Sequence, residues 1–215
     1  MTYLISDIHG EADRFFQLLE LIQLKEADTL YVLGDVVDRG PDGISILQHI
    51  LSHQNQIQMI LGNHEFMFYD AITHPDDPYK QFLWERNGGY ITYEKFYSLP
   101  DGEKKELLDF IGKLPDHIRI TKHNQEILLV HGCPGETRED RIWNRPDLTQ
   151  LPLLGDTVVI VGHTPTALFH EGEIESSLSI YYNNKFIGLD CGCGHSTRHR
   201  RLACLRLDDM REFYV

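Results

Sequence analysis

Six short apolar runs in this sequence lead into the same kind of residue, an aspartate, asparagine or histidine that usually lies beside glycine. The runs span residues 3–5, 30–33, 57–61, 127–130, 158–161 and 186–189. Short apolar runs bounded by turn residues are typical of strands that are buried on both faces. The repetition therefore predicts sheets whose strands end in polar side chains.

Helical patterns lie between these runs. Apolar residues share one face in segments 11–25, 43–52 and 103–114. Alternating strands and helices predict an α/β layered fold with ligands beyond the carboxyl ends of the strands. We expect segment 73–102, which contains several prolines and glycines, to be an inserted loop and helix. The whole chain, residues 1–215, is expected to form one domain.

Charge and cysteine content narrow the function classes. The 20 Lys and Arg against 33 Asp and Glu give a net charge of −13, which argues against nucleic acid or membrane surfaces as general partners. Four cysteines make no disulfide framework, and the space before the first motif is too short for a cleavable leader. We therefore expect reduced thiols and a cytoplasmic location. Twelve histidines suggest metal or acid–base chemistry.

The polar strand ends fall in five motifs, which are Asp7-Ile8-His9-Gly10, Gly34-Asp35-Val36-Val37-Asp38-Arg39-Gly40, Gly62-Asn63-His64-Glu65, His131-Gly132 and Gly162-His163-Thr164-Pro165. Asp7 and His9 point to the same side of an extended segment and can bind one ion. The Asp35 carboxylate can bridge two metals, and the Arg39 fork suits phosphate oxygens. Singly, each motif has an ordinary explanation as a helix cap or a core histidine. Five in succession leave little room for chance.

In this order the motifs resemble those of the PPP-type metallophosphatases, the superfamily of serine/threonine protein phosphatases. Arg39 distinguishes the pattern from related nucleases and cyclic-nucleotide phosphodiesterases, and Ile142-Trp143-Asn144-Arg145 is similar to the segment that carries a second phosphate-binding arginine. The resemblance covers about residues 4–207 and implies a calcineurin-like metallophosphoesterase fold, a layered α/β/β/α sandwich. The length is similar to that of compact bacterial and phage protein phosphatases.

The resemblance also implies roles for individual residues and a cofactor of two divalent metal ions. The implied ligands are Asp7, His9 and Asp35 for one ion, and Asp35, Asn63, His131 and His163 for the other. Arg39 and Arg145 would bind the phosphate, and His64, oriented by Asp38, would be the general acid. A hydroxide between the two ions would attack the phosphorus. Bacterial members favour manganese, while iron or zinc suits the same oxygen and nitrogen donors.

Phosphate chemistry supports these roles independently of the resemblance. Two divalent cations neutralise the charge that repels an attacking water and lower the pKa of that water. The leaving alkoxide needs a proton, which an imidazole held by a carboxylate can supply.

Two stretches depart from the family pattern. Cys133 follows His131-Gly132, where smaller residues are usual, and it either packs silently or makes the protein sensitive to oxidation. Cys191, Cys193, His195 and His199 invite a zinc interpretation, although their spacing matches no standard zinc motif. We favour a loop that leads into a last strand at 202–207, with Asp190 as a partner of an active-site histidine.

The leading functional hypothesis is a phosphatase acting on phosphomonoesters, chiefly phosphoserine or phosphothreonine in proteins, with phosphotyrosine or a small phosphoester as other substrates. The alternative is a symmetrical bis(5'-nucleosyl)-tetraphosphate hydrolase, which shares nearly every motif. Segments 73–102 and 133–145 are expected to form the pocket, where Tyr79, Phe82, Trp84 and Tyr90 either stack on adenine or belong to the core. A phosphate-binding module without activity is disfavoured because the acid and all six ligands are present.

Overall fold

The computed structural model describes residues 1–170 and 178–215. The strands of the described ranges are β1 (Thr2–Ile5), β2 (Thr29–Val32), β3 (Ile57–Met59), β4 (His117–Lys122), β5 (Gln125–Val130), β6 (Val158–Val161), β7 (Tyr181–Asn183), β8 (Phe186–Gly188), β9 (Ala203–Arg206) and β10 (Arg211–Tyr214). Sheet A has the order β10-β9-β1-β2-β3, and sheet B has the order β4-β5-β6-β8-β7. All six predicted strands are present.

The helices of the described ranges are α1 (Ala12–Ile22), α2 (Gly43–Ser52), α3 (Asn63–Thr73), α4 (Pro78–Arg86), α5 (Tyr90–Tyr97), α6 (Asp101–Ile111) and α7 (Arg138–Trp143). The three predicted helices correspond to α1, α2 and α6. Segment 73–102 contains two helices, α4 and α5, where the sequence predicted one. Within the described residues, none of these helices combines the length and the apolar character needed to cross a membrane.

The hydrophobic core of the described residues consists of three clusters of buried side chains. Leu4 of β1, Ile160 of β6 and Leu205 of β9 are fully buried in the cluster that joins the two sheets. The other face of sheet A packs against helices through residues such as Phe15 and Phe68. The outer face of sheet B is covered by short 3-10 helices and loops around residues 148–154 and 166–169. The layered α/β/β/α prediction is confirmed.

Parallel pairing sets the position of the polar motifs. In sheet A, β1 pairs with β2 and β2 with β3 in parallel, and in sheet B, β5 pairs with β6 and β6 with β8 in parallel. Because parallel strands end at the same edge, the segments after them meet there. The two sheets approach closely at this edge, since a Cβ on Gly162 would overlap Ser6 Oγ and Asp7 Oδ2. The motifs of both sheets therefore form one site.

Candidate active site

Asp35 lies at the centre of the site. Its Oδ2 is 3.3 Å from His131 Nε2, 3.7 Å from His9 Nε2 and 4.0 Å from His64 Nε2. Its Oδ1 accepts a hydrogen bond of 3.0 Å from the backbone N–H of His64. Burial would raise the pKa of Asp35, but the His131 and His64 imidazoles outweigh it and hold that pKa well below its ordinary value. One charged oxygen therefore faces three imidazoles.

On one side of Asp35, two histidines from sheet B converge on Asn63. Asn63 Oδ1 is 3.0 Å from both His131 Nε2 and His163 Nδ1. His131 Nδ1 lies 2.6 Å from the Leu33 carbonyl oxygen and His163 Nε2 lies 3.1 Å from the Trp143 carbonyl oxygen, so each ring can donate outward. The other ring nitrogen of each histidine then faces Asn63 and Asp35, where it could bind a cation in place of a proton.

The Asp35 carboxylate favours a positive charge in the space between it and the two sheet B histidines. Burial would lower the pKa of His131, but the Asp35 carboxylate outweighs it and raises that pKa to about 10. Burial and the neighbouring His131 lower the pKa of His163 to about 4, which leaves its imidazole neutral. A convergent set of carboxylate oxygen, amide oxygen and imidazole nitrogen is typical of a divalent metal site.

His9 of the first motif also lies close to Asp35, while the Asp7 carboxylate of the same motif accepts the backbone N–H of His163 at 3.1 Å (Oδ1) and 3.0 Å (Oδ2). His9 Nδ1 is 3.2 Å from the Val37 carbonyl oxygen, and His9 Nε2 is 4.0 Å from Asp7 Oδ1. Burial and the adjacent His64 lower the pKa of His9 well below its ordinary value, so its ring is neutral. Burial and the carboxylates of Asp190 and Asp35 raise the pKa of Asp7 well above its usual range. A carboxyl group buried among other carboxylates must bind a proton or lie beside a cation, and a metal ion at the predicted place would be that cation.

Asp38 and His64 form a buried pair beside this set. His64 Nδ1 donates to Asp38 Oδ2 over 2.7 Å, which leaves Nε2 facing the cleft. His64 Nε2 and His9 Nε2 each lie 3.1 Å from a terminal nitrogen of Arg39. The donor groups within 4.8 Å of one another among the described residues are His9, Asp35 and His64 in one set, and Asp35, His131 and His163 in the other. His64 is therefore near enough to be a ligand as well as an acid.

Glu65, the carboxylate of the third motif, does not face the metal donors. Its two oxygens accept hydrogen bonds from the backbone N–H groups of Asp35 (2.8 Å), Val36 (2.7 Å), Val37 (3.2 Å) and Gly62 (3.2 Å). Burial and Asp35 raise the pKa of Glu65 to about 7, yet this bonding pattern suits the ionised form. Glu65 thus holds the loop that presents Asp35.

The site opens into a cleft of about 660 Å³. Both predicted arginines, Arg39 and Arg145, line it, together with Asn87, Trp143 and His195. Arg145 also lines a neighbouring groove of about 690 Å³ that contains Arg119 and Cys133. The pocket prediction is supported at Asn87 and at the Trp143–Arg145 end of segment 133–145.

The aromatic residues of segment 73–102 lie elsewhere. Tyr79, Phe82 and Tyr90 are 69%, 55% and 62% exposed, so they belong neither to the core nor to the cleft wall. Trp84 is buried and donates from Nε1 to both oxygens of Asp38. The core interpretation is therefore wrong for the three exposed rings, and none of them lines the cleft in which the adenine platform was expected.

The cysteine tail does not gather around a metal in the described part of the chain. Cys191 packs in the cluster between the sheets, whereas Cys193 packs in the helix-side cluster with its Sγ 3.5 Å from the Ile8 carbonyl oxygen. Asp190 accepts a backbone hydrogen bond from Gly192 rather than one from an imidazole. Burial raises the pKa of Cys133 to about 11, which favours the interpretation that this thiol only packs and is not easily oxidised.

Two groups of His and Asp side chains that share Asp35 could each hold a metal ion, which is the kind of donor set found in metal-dependent hydrolases. The model of the calcineurin-like phosphoesterase family matches residues 2–196. This chain belongs to the calcineurin-like phosphoesterase family, and it is a metal-dependent hydrolase of phosphate esters. The family and the enzyme class predicted from the motifs are thereby confirmed.

Individual relatives carry two kinds of name. A symmetrical bis(5'-nucleosyl)-tetraphosphatase from Chromobacterium violaceum is 45% identical over 64 residues, which are 29% of this chain and 23% of that protein. Serine/threonine-protein phosphatase 2 of Escherichia coli K12 is 34% identical over 137 residues, 60% of this chain and 56% of that protein. The chain thus spans between about a quarter and about half the length of these curated relatives.

A solved structure shows the same fold. A protein serine/threonine phosphatase from Saccharomyces cerevisiae matches with a TM-score of 0.65 and 14% identity, over 100% of this chain and 78% of that one. At this identity the match supports the architecture alone.

Proposed function

We propose that this protein is a phosphatase that hydrolyses phosphomonoesters, chiefly phosphoserine and phosphothreonine in proteins. The observation that carries the proposal is the position of Asp35 Oδ2 among the Nε2 atoms of His131, His9 and His64, in a cleft that Arg39 and Arg145 also line. Two guanidinium groups in the cleft lining, with a candidate proton donor beside them, suit a dianionic phosphate that leaves an alkoxide behind.

Two divalent ions complete the proposed centre. Asp7, His9 and Asp35 hold the first ion, and Asp35, Asn63, His131 and His163 hold the second. When bound, the ions neutralise the phosphoryl charge and make water more acidic. Oxygen donors and imidazoles without thiolate fit manganese, iron or zinc, and we choose manganese because bacterial members of the family that the motifs resemble favour it.

Arg39 and Arg145 are proposed to bind the phosphate oxygens. The Arg39 fork lies 3.1 Å from both His9 Nε2 and His64 Nε2, so it already points to the place where the phosphoryl group must bind. Arg145 is exposed at the cleft wall, where its guanidinium can reach a substrate as it enters. Planar guanidinium groups bind phosphate through two parallel hydrogen bonds.

His64 is proposed as the general acid. Its Nδ1 is held on the fully buried carboxylate of Asp38 over 2.7 Å, which fixes the orientation of the ring. Nε2 faces the cleft, where it would carry the proton that the leaving oxygen of a bound substrate takes up. A positioned acid of this kind contributes a factor of about 10² to 10⁴ in rate.

The alternative substrate is a symmetrical dinucleoside tetraphosphate. Trp143 in the cleft wall and the groove beyond Arg145 favour it, because together they give an adenine ring and a second nucleotide somewhere to bind. Against it, Tyr79, Phe82 and Tyr90 lie outside the cleft lining, and a phosphorylated side chain needs no such platform.

We also propose that residues 1–215 act as a single catalytic domain in the cytoplasm. Supporting this, the three core clusters share both sheets and their flanking helices, and all four cysteines are free thiols.

The deciding experiment compares a phosphoserine peptide, a phosphotyrosine peptide and diadenosine tetraphosphate at saturating Mn²⁺. We expect the highest kcat/KM with the phosphoserine peptide. Preference for the dinucleotide would establish the alternative. No turnover of any of the three, or of p-nitrophenyl phosphate, with Mn²⁺, Fe²⁺ or Zn²⁺ would contradict the proposed function.

A further inference from the structure

The hairpin formed by α4, the turn at 87–89 and α5 reaches the Asp38 carboxylate with two side chains. Trp84 Nε1 donates to Asp38 Oδ1 over 3.0 Å and to Oδ2 over 3.1 Å. Thr92 Oγ1 donates to Asp38 Oδ1 over 2.7 Å. With His64 Nδ1 on Oδ2, three side chains hold this carboxylate in one orientation, and all four groups are buried.

The same hairpin also holds the backbone around Asp38. Asp38 and Arg39 have φ angles of 70° and 68°, two successive left-handed residues that are not glycine. The Asp38 N–H donates to Thr92 Oγ1 over 3.0 Å, and the Arg39 N–H donates to the Gly88 carbonyl oxygen over 3.1 Å. Backbone of this kind persists where its surroundings over-determine it, and here the hairpin does so.

Tight packing fixes Trp84 itself. Its ring stacks on Phe68 with a centroid distance of 5.2 Å, and a Cβ on Gly89 would overlap the indole. The indole N–H therefore has no other position within this packing, and its hydrogen bonds to Asp38 are part of the rigid core.

We propose that Trp84 and Thr92 are positioning residues for the general acid, acting through Asp38 to aim His64 Nε2 at the leaving oxygen. This inference rests on the proposed role of His64. Neither residue faces the cleft, so neither touches the substrate. Their largest effect is therefore expected in the step in which the leaving group takes its proton.

The dependence of rate on the leaving group separates this role from a structural one. The p-nitrophenolate ion departs without help, whereas the alkoxide of phosphoserine must be protonated. A variant in which the His64 ring is wrongly oriented loses more activity on phosphoserine than on p-nitrophenyl phosphate. A variant that merely lowers the fraction of folded protein loses the same factor on both.

The test measures kcat and KM with Mn²⁺ for p-nitrophenyl phosphate, phenyl phosphate and a phosphoserine peptide. The variants are Thr92→Val, Thr92→Ser, Trp84→Phe and His64→Asn, with Thr29→Val in sheet A as a matched control. We expect Thr92→Val and Trp84→Phe to lower kcat by about 10-fold on the peptide but less than about 3-fold on p-nitrophenyl phosphate. KM is unchanged, and Thr92→Ser restores the rate because it keeps the hydroxyl.

The outcomes separate the two claims. If His64→Asn shows the selective loss but Thr92→Val and Trp84→Phe lower all substrates equally, the positioning role is overturned and the acid stands. If His64→Asn itself lowers all substrates equally, the acid assignment fails and the positioning role fails with it. A selective loss in Thr29→Val would also overturn the proposal.

Discussion

The amide oxygen of Asn63 lies 3.0 Å from Nδ1 of His163, although 100 residues separate them in the chain. Asn63 begins α3 just after sheet A, and His163 follows β6 of sheet B. A cation bound between them would therefore contact side chains from both sheets, and its binding energy would add to the stability of their junction.

Metal binding is expected to stabilise the folded chain measurably. Because the donors are assembled only in the folded state, Mn²⁺ at 100 times its Kd adds about 2.7 kcal/mol per site. Thermal unfolding with EDTA and with increasing Mn²⁺ measures this as a rise in Tm. His163→Ala should reduce the rise, and an equal rise in the variant would contradict the assignment of His163 as a ligand.

Asp35→Asn is expected to lose both metals. Because Oδ1 accepts the His64 N–H, an asparagine would keep its oxygen there and turn its NH₂ toward the imidazoles. The new group cannot bind a cation, so metal analysis of the dialysed protein should find neither ion and turnover should fall by a factor of about 10² or more. Full metal occupancy would contradict the bridging role, and Asp208→Asn, remote from the cleft, serves as control.

Glu65→Gln is expected to lower stability. The amide would turn an N–H donor toward backbone N–H groups of residues 35–37 and 62, which then lose their acceptor in a buried place. We expect a loss of about 2–4 kcal/mol in the free energy of unfolding by urea. The exposed Glu126→Gln is the matched control, and a change as small as that of the control would show that Glu65 does not hold the loop.

Asp208 links the two sheets in a pH-dependent way. It pairs with Lys122 of β4 over 2.7 Å and accepts from the Thr2 N–H of β1 over 2.7 Å. Burial would raise the pKa of Asp208, but Lys122 and Thr2 outweigh it and lower that pKa below the ordinary value. A carboxyl group whose pKa is lower in the folded state stabilises the folded chain at pH values above its unfolded-state pKa. This stabilisation is lost as the pH falls through the folded-state pKa.

Asp208→Asn should therefore reduce the free energy of unfolding by about 1 kcal/mol near neutral pH. The difference from the wild-type chain should stay constant from pH 7 to about pH 5 and shrink below about pH 4. Urea unfolding across this range measures it. A difference that grows on acidification would contradict the direction of the shift.

The sequence predicts the strand ends because each buried strand is a continuous apolar run followed by a motif. It does not reveal β4, in which polar and apolar residues alternate, since an edge strand of sheet B is only half buried. It also does not reveal that Trp84 and Thr92 hold Asp38. These contacts cross 46 and 54 residues, and no local periodicity carries such pairings. The Asn87-Gly88-Gly89 sequence predicts a turn, but it does not predict that the helices on either side of the turn contact Asp38.

The motif residues themselves were predicted to be close together, and the structure brings them to one edge of the two sheets. The role of Glu65 is one that the motifs do not predict, because a carboxylate beside metal ligands can equally bind backbone amides. The carboxylate of Glu65 is fully buried behind the Asp35 loop, a location that follows from the start of α3 at Asn63. The spacing of the motif residues in the sequence does not predict this location of Glu65.

The central claim is that His64 is the general acid and not a metal ligand. It needs a test because His64 Nε2 lies 4.0 Å from Asp35 Oδ2, near enough for either role. His64→Asn, measured for both kcat on a phosphoserine peptide and metal content after dialysis, tests it directly. The account predicts a fall in kcat by a factor of about 10² or more with metal content unchanged from the wild-type chain. Loss of a metal ion from the variant would show that His64 is a ligand and contradict the account.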